Sequence, residues 1–291
     1  MCGIRKSSLK TITYALMISL FCIVMVSGCR GKKTEVSPEL ASSAEAMFRE
    51  GEKYLKKDPE RARLYFRQVI DSFPQSFYAQ QSKLAIADSY FRKSDIANMI
   101  LAASEYREFI NLFPFSPSAP YAQYQIAMTF YKKIYSPGRD QTKTHQALEE
   151  FKKMLTNYPT SDEAKEAQEK ILDCEDKLAS HAFQIGLHYY KVGSYRAAII
   201  RLREILTAYP NYSGLEQVYY YLGASFYGGK NYPQSSSFFT KLISDYPQSK
   251  FAKKARKKLE EIEKKIKEAE KKAPIKKNGN RKSAGAFHEK S

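Results

Sequence analysis

Four stretches, LAIADSYFRK (84–93), YQIAMTFYKK (124–133), FQIGLHYYKV (183–192) and YYLGASFYGG (220–229), show one pattern when stacked. A small residue, Ala87, Ala127, Gly186 or Gly223, is followed three and four places on by two large ones: Tyr90-Phe91, Phe130-Tyr131, Tyr189-Tyr190 and Phe226-Tyr227. EGEKYLKK (50–57) supplies a fifth copy, with Gly51 ahead of Tyr54-Leu55. Spacings of three and four return side chains to one face of an α-helix. Each stretch therefore reads as an amphipathic helix with a notch where a second helix approaches closely.

The second helix follows every time and ends in an aromatic, a proline and soon a serine: DSFPQS, NLFPFS, TNYPTS, TAYPNYS and SDYPQS. Proline cannot continue a helix, so it closes this one, and Ser76, Ser118, Ser161, Ser213 and Ser249 are placed to cap the next. Inside these helices small and large residues stand four apart, at Ala62-Phe66, Ala102-Tyr106, Ala147-Phe151, Ala198-Leu202 and Ser235-Phe239. The unit resembles the tetratricopeptide repeat, with Tyr and Phe filling the space of the absent Trp. The expected fold is all-α, an α-solenoid of five tetratricopeptide helix-turn-helix repeats with a C-terminal capping helix.

The repeats fall at about 41–76, 77–117, 118–160, 161–212 and 213–249. In the third, 16 places separate Tyr131 from Ala147 where copies four and five have eight, and the extra length is the loop SPGRDQTKTH. Another 14 extra residues between Pro159 and Gly186 are close to four turns at about 3.6 residues each, which predicts one long helix over 161–192. Residues 250–272 read as a charged capping helix with an apolar stripe of Ala252, Leu259, Ile262 and Ile266. Residues 273–291 lack hydrophobic periodicity and read as a disordered basic tail.

At the other end, Arg5, Lys6 and Lys10 precede an apolar run over residues 12–26 that is shorter than the roughly 20 residues of a membrane span. Residues 1–28 read as an export signal, and 29–40 as a linker. Ser27 and Gly28 before Cys29 resemble the bacterial lipoprotein box. That resemblance implies cleavage before Cys29 and its acylation by diacylglycerol and an N-acyl chain, with no other cofactor. Cys174 is then the one thiol left beyond Cys29, in a polar helical stretch with no activating partner in sequence.

The formal charge of +17 is unevenly spread. Residues 250–291 carry a net +10 and residues 1–10 a net +3, leaving +4 for the body between. This is a basic tail rather than a nucleic-acid-binding domain, and an exported chain has little access to nucleic acid. Nor does the sequence offer catalytic apparatus. His188 shares its repeat column with Lys53, Ser89, Thr129 and Ser225, which reads as solvent-facing, and His181 is seven residues away, too far for a two-ligand zinc clip. No glycine-rich phosphate loop or nucleophile elbow occurs, and Gly228 and Gly229 belong to an interhelical turn. The expectation is no enzyme and no metal site.

What remains is a binding surface. In stacked helix pairs the first helices line the concave face, and the second large residue of each copy, Leu55, Phe91, Tyr131, Tyr190 and Tyr227, is expected either there, as periodic anchors for an extended apolar segment, or between repeats as filling.

Together the lipoprotein box, the five repeats, the third-repeat loop with RDQT (139–142) followed by HQALEEF, and HYYKVGSYRAAIIRLREILTAYP in the fourth resemble the BamD family. These are outer-membrane lipoproteins of the β-barrel assembly (BAM) machinery. The resemblance covers residues 20–249 and leaves out the lysine-rich extension. It implies a non-enzymatic scaffold, lipid-anchored on the periplasmic face of the outer membrane of a Gram-negative bacterium. Its implied partners are a BamA-like barrel protein met through its periplasmic domains, unfolded outer-membrane proteins and other BAM lipoproteins. The family's fourth-repeat arginine falls at Arg201, which either couples to BamA or pairs with Glu204 on its own helix. Arg139 and Asp140 either join that coupling or brace their own loop. The alternative is another periplasmic repeat lipoprotein that coordinates envelope constriction or pilus assembly, whose relatives lack the RDQT loop.

Overall fold

The computed structural model describes residues 43–272. The signal sequence 1–28, Cys29, the linker 29–40 and the tail 273–291 lie outside the described residues. Within them every regular element is an α-helix: α1 (Ala44–Tyr54), α2 (Pro59–Ser72), α3 (Phe77–Phe91), α4 (Ile96–Leu112), α5 (Ala119–Tyr131), α6 (Thr142–Asn157), α7 (Glu163–Lys191), α8 (Tyr195–Ala208), α9 (Leu215–Gly228), α10 (Tyr232–Asp245) and α11 (Lys250–Lys272). In chain order these make five pairs and a final helix, an α-solenoid. Two compact units meet in sequence between Arg92 and Lys93, with α1–α3 in the first and α4–α11 in the second.

The five aromatics ahead of proline, Phe73, Phe113, Tyr158, Tyr209 and Tyr246, each cap the C-terminus of a helix with nearly the same backbone, φ between −137° and −132° and ψ between 57° and 67°. The following proline ring excludes the helical ψ from the residue before it. Each aromatic N–H still reaches the carbonyl four residues back, so the last turn stays closed.

The notch-and-filler pattern is the core. Gly51 faces Phe66, Gly186 faces Leu202 and Gly223 faces Phe239, and a Cβ added at these glycines would lie 2.6–2.7 Å from the facing side chain. Ser235 stands where its counterparts are alanine, and its hydroxyl donates to the carbonyl of Gly223 at 2.7 Å, so the polar atom costs little inside the contact.

In the second unit the core divides into clusters strung along the chain. One joins Ala127 of α5, Phe151 and Met154 of α6, and Ala167, Ile171 and Cys174 of α7. The next joins Ala179 and Phe183 of α7, Leu202 and Ile205 of α8, and Val218 and Leu222 of α9. The last joins Phe239 and Leu242 of α10 to Phe251, Ala255 and Ile262 of α11. The 29 residues of α7 make about 43 Å of helix, long enough for its first half to serve one cluster and its second half the next. In α11, Ala252 and Ile262 are buried and Leu259 half-buried, but Ile266 is 37% exposed. The stripe reaches beyond the surface that α9 and α10 offer it.

Two expectations need correction. Ser89, Thr129 and Ser225 are buried, although Lys53 and His188 in the same column are exposed. Each small hydroxyl donates to a carbonyl of its own helix, Ile86, Ile126 or Tyr221, at 2.6–2.7 Å, so it needs no water. Of the five serines placed as caps, Ser76 accepts from Ala79 N and Ser249 from Phe251 N, whereas Ser118, Ser161 and Ser213 make no side-chain cap. Side-chain caps are made by Ser43, Asp58, Asp95 and Asn231 on α1, α2, α4 and α10, while α5, α7 and α9 start without one.

Candidate functional site

The long third-repeat loop is braced by its least conspicuous member. Gln141 is buried, and its Nε2 donates to the carbonyls of Ser136 and Arg139, both at 3.0 Å, while its Oε1 accepts from Thr144 Oγ1 at 2.8 Å. One amide thus ties both limbs of the loop to the start of α6. Asp140 accepts from Thr142 Oγ1 at 2.8 Å and from Thr142 N at 3.3 Å, which places a carboxylate at the positive end of α6. Arg139 lays its guanidinium over the Tyr135 ring, 4.4 Å from the centroid. Arg139 and Asp140 form no ion pair with one another among the described residues, so the loop is braced by other contacts. On the far side the Pro137 carbonyl meets His181 Nδ1 of α7 at 2.6 Å, which docks the loop on the next repeat.

This fixed loop closes one side of a cleft of about 290 Å³. Ile96, Met99, Ile100 and Ala103 of α4 and Phe130 of α5 supply an apolar floor, and Arg107, Lys133, Tyr135, Asp140 and Lys143 surround it. Ile96 and Ile100 are each 65% exposed, one helical turn apart. Arg107 donates to Glu150 Oε1 at 2.8 Å, and Gln123 to Glu150 Oε2 at 3.1 Å, so the arginine is held from α6. The Lys143 ammonium lies 5.2 Å from the centre of the Phe130 ring. An extended segment with apolar side chains and a negative charge matches this lining.

The expected anchors behave differently. Tyr131 packs edge-on to Phe151 and donates to Asp173 Oδ2 on α7 at 2.7 Å. Burial, and then this hydrogen bond to a carboxylate, push its hydroxyl pKa up. Tyr124, seven residues earlier, donates to Glu166 Oε1 at 2.5 Å, so two tyrosines and two acids at the same spacing form a ladder between α5 and α7. Tyr190 lies against Tyr195 and Tyr221. Tyr227 packs on Tyr232, with its hydroxyl 3.2 Å from Glu261 of α11. These three rings occupy the joints between successive repeats. Leu55 and Phe91 are half-buried in the first unit. Phe130, Ile96 and Ile100 instead face the cleft, and the sequence signal for the two isoleucines is an apolar pair four apart on the polar side of α4.

Arg201 is exposed and pairs with Glu204 at 3.2 Å, both side chains more than half accessible. Such a pair contributes about 0–1 kcal/mol and leaves the guanidinium reachable. Its neighbour Arg203 covers Phe226, 5.1 Å from the ring centre, and Phe226 stacks on Phe238. Cys174 is fully buried, and burial, with Asp173 adding to it, pushes its thiol up to about 12, so it packs as a small apolar residue. In the first unit Arg63 is buried, bonded to Glu60 and to Ser89 Oγ, and lies over the Tyr90 ring at 4.2 Å.

Comparison with known proteins extends the picture to ancestry. Residues 40–227 match the model of the YfiO outer membrane lipoprotein family, and residues 217–249 match a tetratricopeptide repeat. An outer membrane protein assembly factor BamD from Caulobacter vibrioides is 32% identical over 185 residues, 62% of this chain and 59% of that protein. The Rickettsia prowazekii BamD is 26% identical across 83% of this chain and 93% of its own length. The Neisseria gonorrhoeae BamD is 26% identical across 73% and 80%. The chain thus spans about three-fifths of the first relative and nearly all of the second. The family match takes in most of the repeats and the RDQT loop, and on that ground the chain belongs to the YfiO family of outer membrane lipoproteins.

Proposed function

We propose that this chain is a scaffold of the β-barrel assembly machinery, one that holds a BamA-like barrel protein and unfolded outer-membrane proteins together at the outer membrane. The family match over residues 40–227 carries the reading, supported by relatives named as outer membrane protein assembly factors. The chain acts by binding. It uses no cofactor beyond the lipid on Cys29, which holds it to the periplasmic face. The cleft beside the RDQT loop receives an extended apolar segment of a client. Arg201, exposed on α8, takes part in coupling to the barrel protein, and Arg139 and Asp140 support that coupling by shaping the loop. Other BAM lipoproteins dock on the same scaffold.

Affinity purification of the tagged full-length protein from detergent-solubilised envelopes tests this. Recovery of a large β-barrel protein with repeated periplasmic domains is expected, reduced about tenfold by Arg201→Glu. Recovery of constriction or pilus components without any such barrel protein would overturn the reading.

A further inference from the structure

We infer that the outer ridge of α11 is a docking surface for an anionic lipid bilayer, which the helix meets side-on through charge alone. The inference rests on the outer-membrane reading above only for the proximity of a bilayer. α11 buries Phe251, Ala252, Ala255 and Ile262 on one side. At about 100° per residue the opposite side carries Lys250, Lys253, Lys257, Lys264 and Lys267, all exposed. That row extends about 26 Å along the axis. Glu260 and Glu268 are the acids among them, and residues 250–268 still carry a net +5. Lys258 is taken up by Glu261 at 2.6 Å. Lys253, Lys257, Lys264 and Lys267 enter no ion pair among the described residues.

Two features favour a bilayer over other polyanions. The ridge has no aromatic or apolar side chain at its crest, so it lacks both the stacking platform of a single-stranded nucleic-acid site and the buried anchor of a protein interface. A straight row of fixed charges needs no shape match when its counter-charges diffuse laterally, as anionic headgroups do. The ridge also lies beyond the family match, which ends at residue 227, and beyond the last matched repeat, which ends at 249. Its helix caps the last repeat, sharing a core with α10 through Phe251, Ala255 and Ile262, and turns the lysines outward. The tail that follows raises the net charge of residues 250–291 to +10. Each lysine near an anionic surface adds to the attraction, and salt weakens it.

The mature chain, residues 29–291, made without acyl groups, would be mixed with vesicles of phosphatidylcholine alone or with about a third phosphatidylglycerol, and the bound fraction measured by sedimentation. Binding is expected only to the anionic vesicles, falling steeply between 50 and 300 mM salt. The triple variant Lys253→Glu, Lys257→Glu, Lys264→Glu should bind at least about tenfold more weakly. The triple Lys56→Glu, Lys57→Glu, Lys93→Glu, with the same change in net charge, should stay within about threefold of wild type. Circular dichroism checks folding, and the corresponding glutamine triple replaces the first should it misfold. Equal binding to both vesicle types, an undiminished α11 variant, an equal loss in the control, or capture by purified cell wall in place of vesicles would overturn the inference. No protein partner is present in this assay, so its failure leaves the assembly reading standing, and failure to recover a barrel protein leaves this result standing.

Discussion

At the scale of single residues the fold depends on absences as much as on contacts. Gly223 exists so that Phe239 can lie on the α9 backbone, and both are buried. Gly223→Val should destabilise the protein by about 1–3 kcal/mol, because a ring enclosed on all sides has nowhere to move; thermal unfolding followed at 222 nm would show the lowered midpoint. Gln141→Ala should cost about 1–3 kcal/mol by leaving two loop carbonyls and Thr144 without their partner, with faster amide exchange confined to residues 136–144. The notch glycines were legible because they recur. Gln141 was not, since one buried amide in a loop leaves no periodic trace. Nor was the backbone of the turn between α9 and α10 legible. Gly228 ends α9 and Gly229 keeps φ −78°, while Lys230 takes the left-handed conformation at φ 60°. Lys230→Gly should therefore raise stability by a few tenths to about 1 kcal/mol, the relief of strain being partly offset by a freer unfolded chain.

Among elements, what sequence could not reveal was how consecutive first helices hold one another. The aromatic pairs announced large side chains on one face, yet Tyr124 and Tyr131 find Glu166 and Asp173 about forty residues later. Only the length of α7 sets that register. The carboxylate of Asp173 feels burial, which raises its pKa, but hydrogen bonds from Lys177 and Tyr131 outweigh it and hold the pKa below the ordinary value. A group whose pKa is depressed on folding stabilises the protein above its unfolded pKa, and the stabilisation is lost as pH falls through the folded value. The thermal midpoint of Asp173→Asn should thus lie below that of wild type at pH 7, and the two should converge as the pH falls below the ordinary carboxylate range. The carboxylate is 38% accessible, so the gap is screened and small. A gap that widens on acidification would contradict the ladder.

Over the whole molecule, the second unit has no single core. Each cluster is shared by neighbouring hairpins, as expected for a repeat array in which stability is added locally. Such a construction leaves helix faces and loops free for partners, and here the unclaimed surfaces differ in character. Beside the RDQT loop the surface is apolar with basic edges, while along α11 it is charged. The excess of +10 beyond residue 249 belongs to an extension of the scaffold. The central claim is that the chain serves the folding of barrels into the outer membrane by binding alone. Its most direct measurement is depletion of the protein from growing cells, followed by the amount of folded, heat-modifiable β-barrel protein in isolated outer membranes. The account predicts a several-fold fall in folded barrels before growth stops, restored by the full-length chain. Undiminished folded barrels in depleted cells that fail to constrict or to build pili would contradict it.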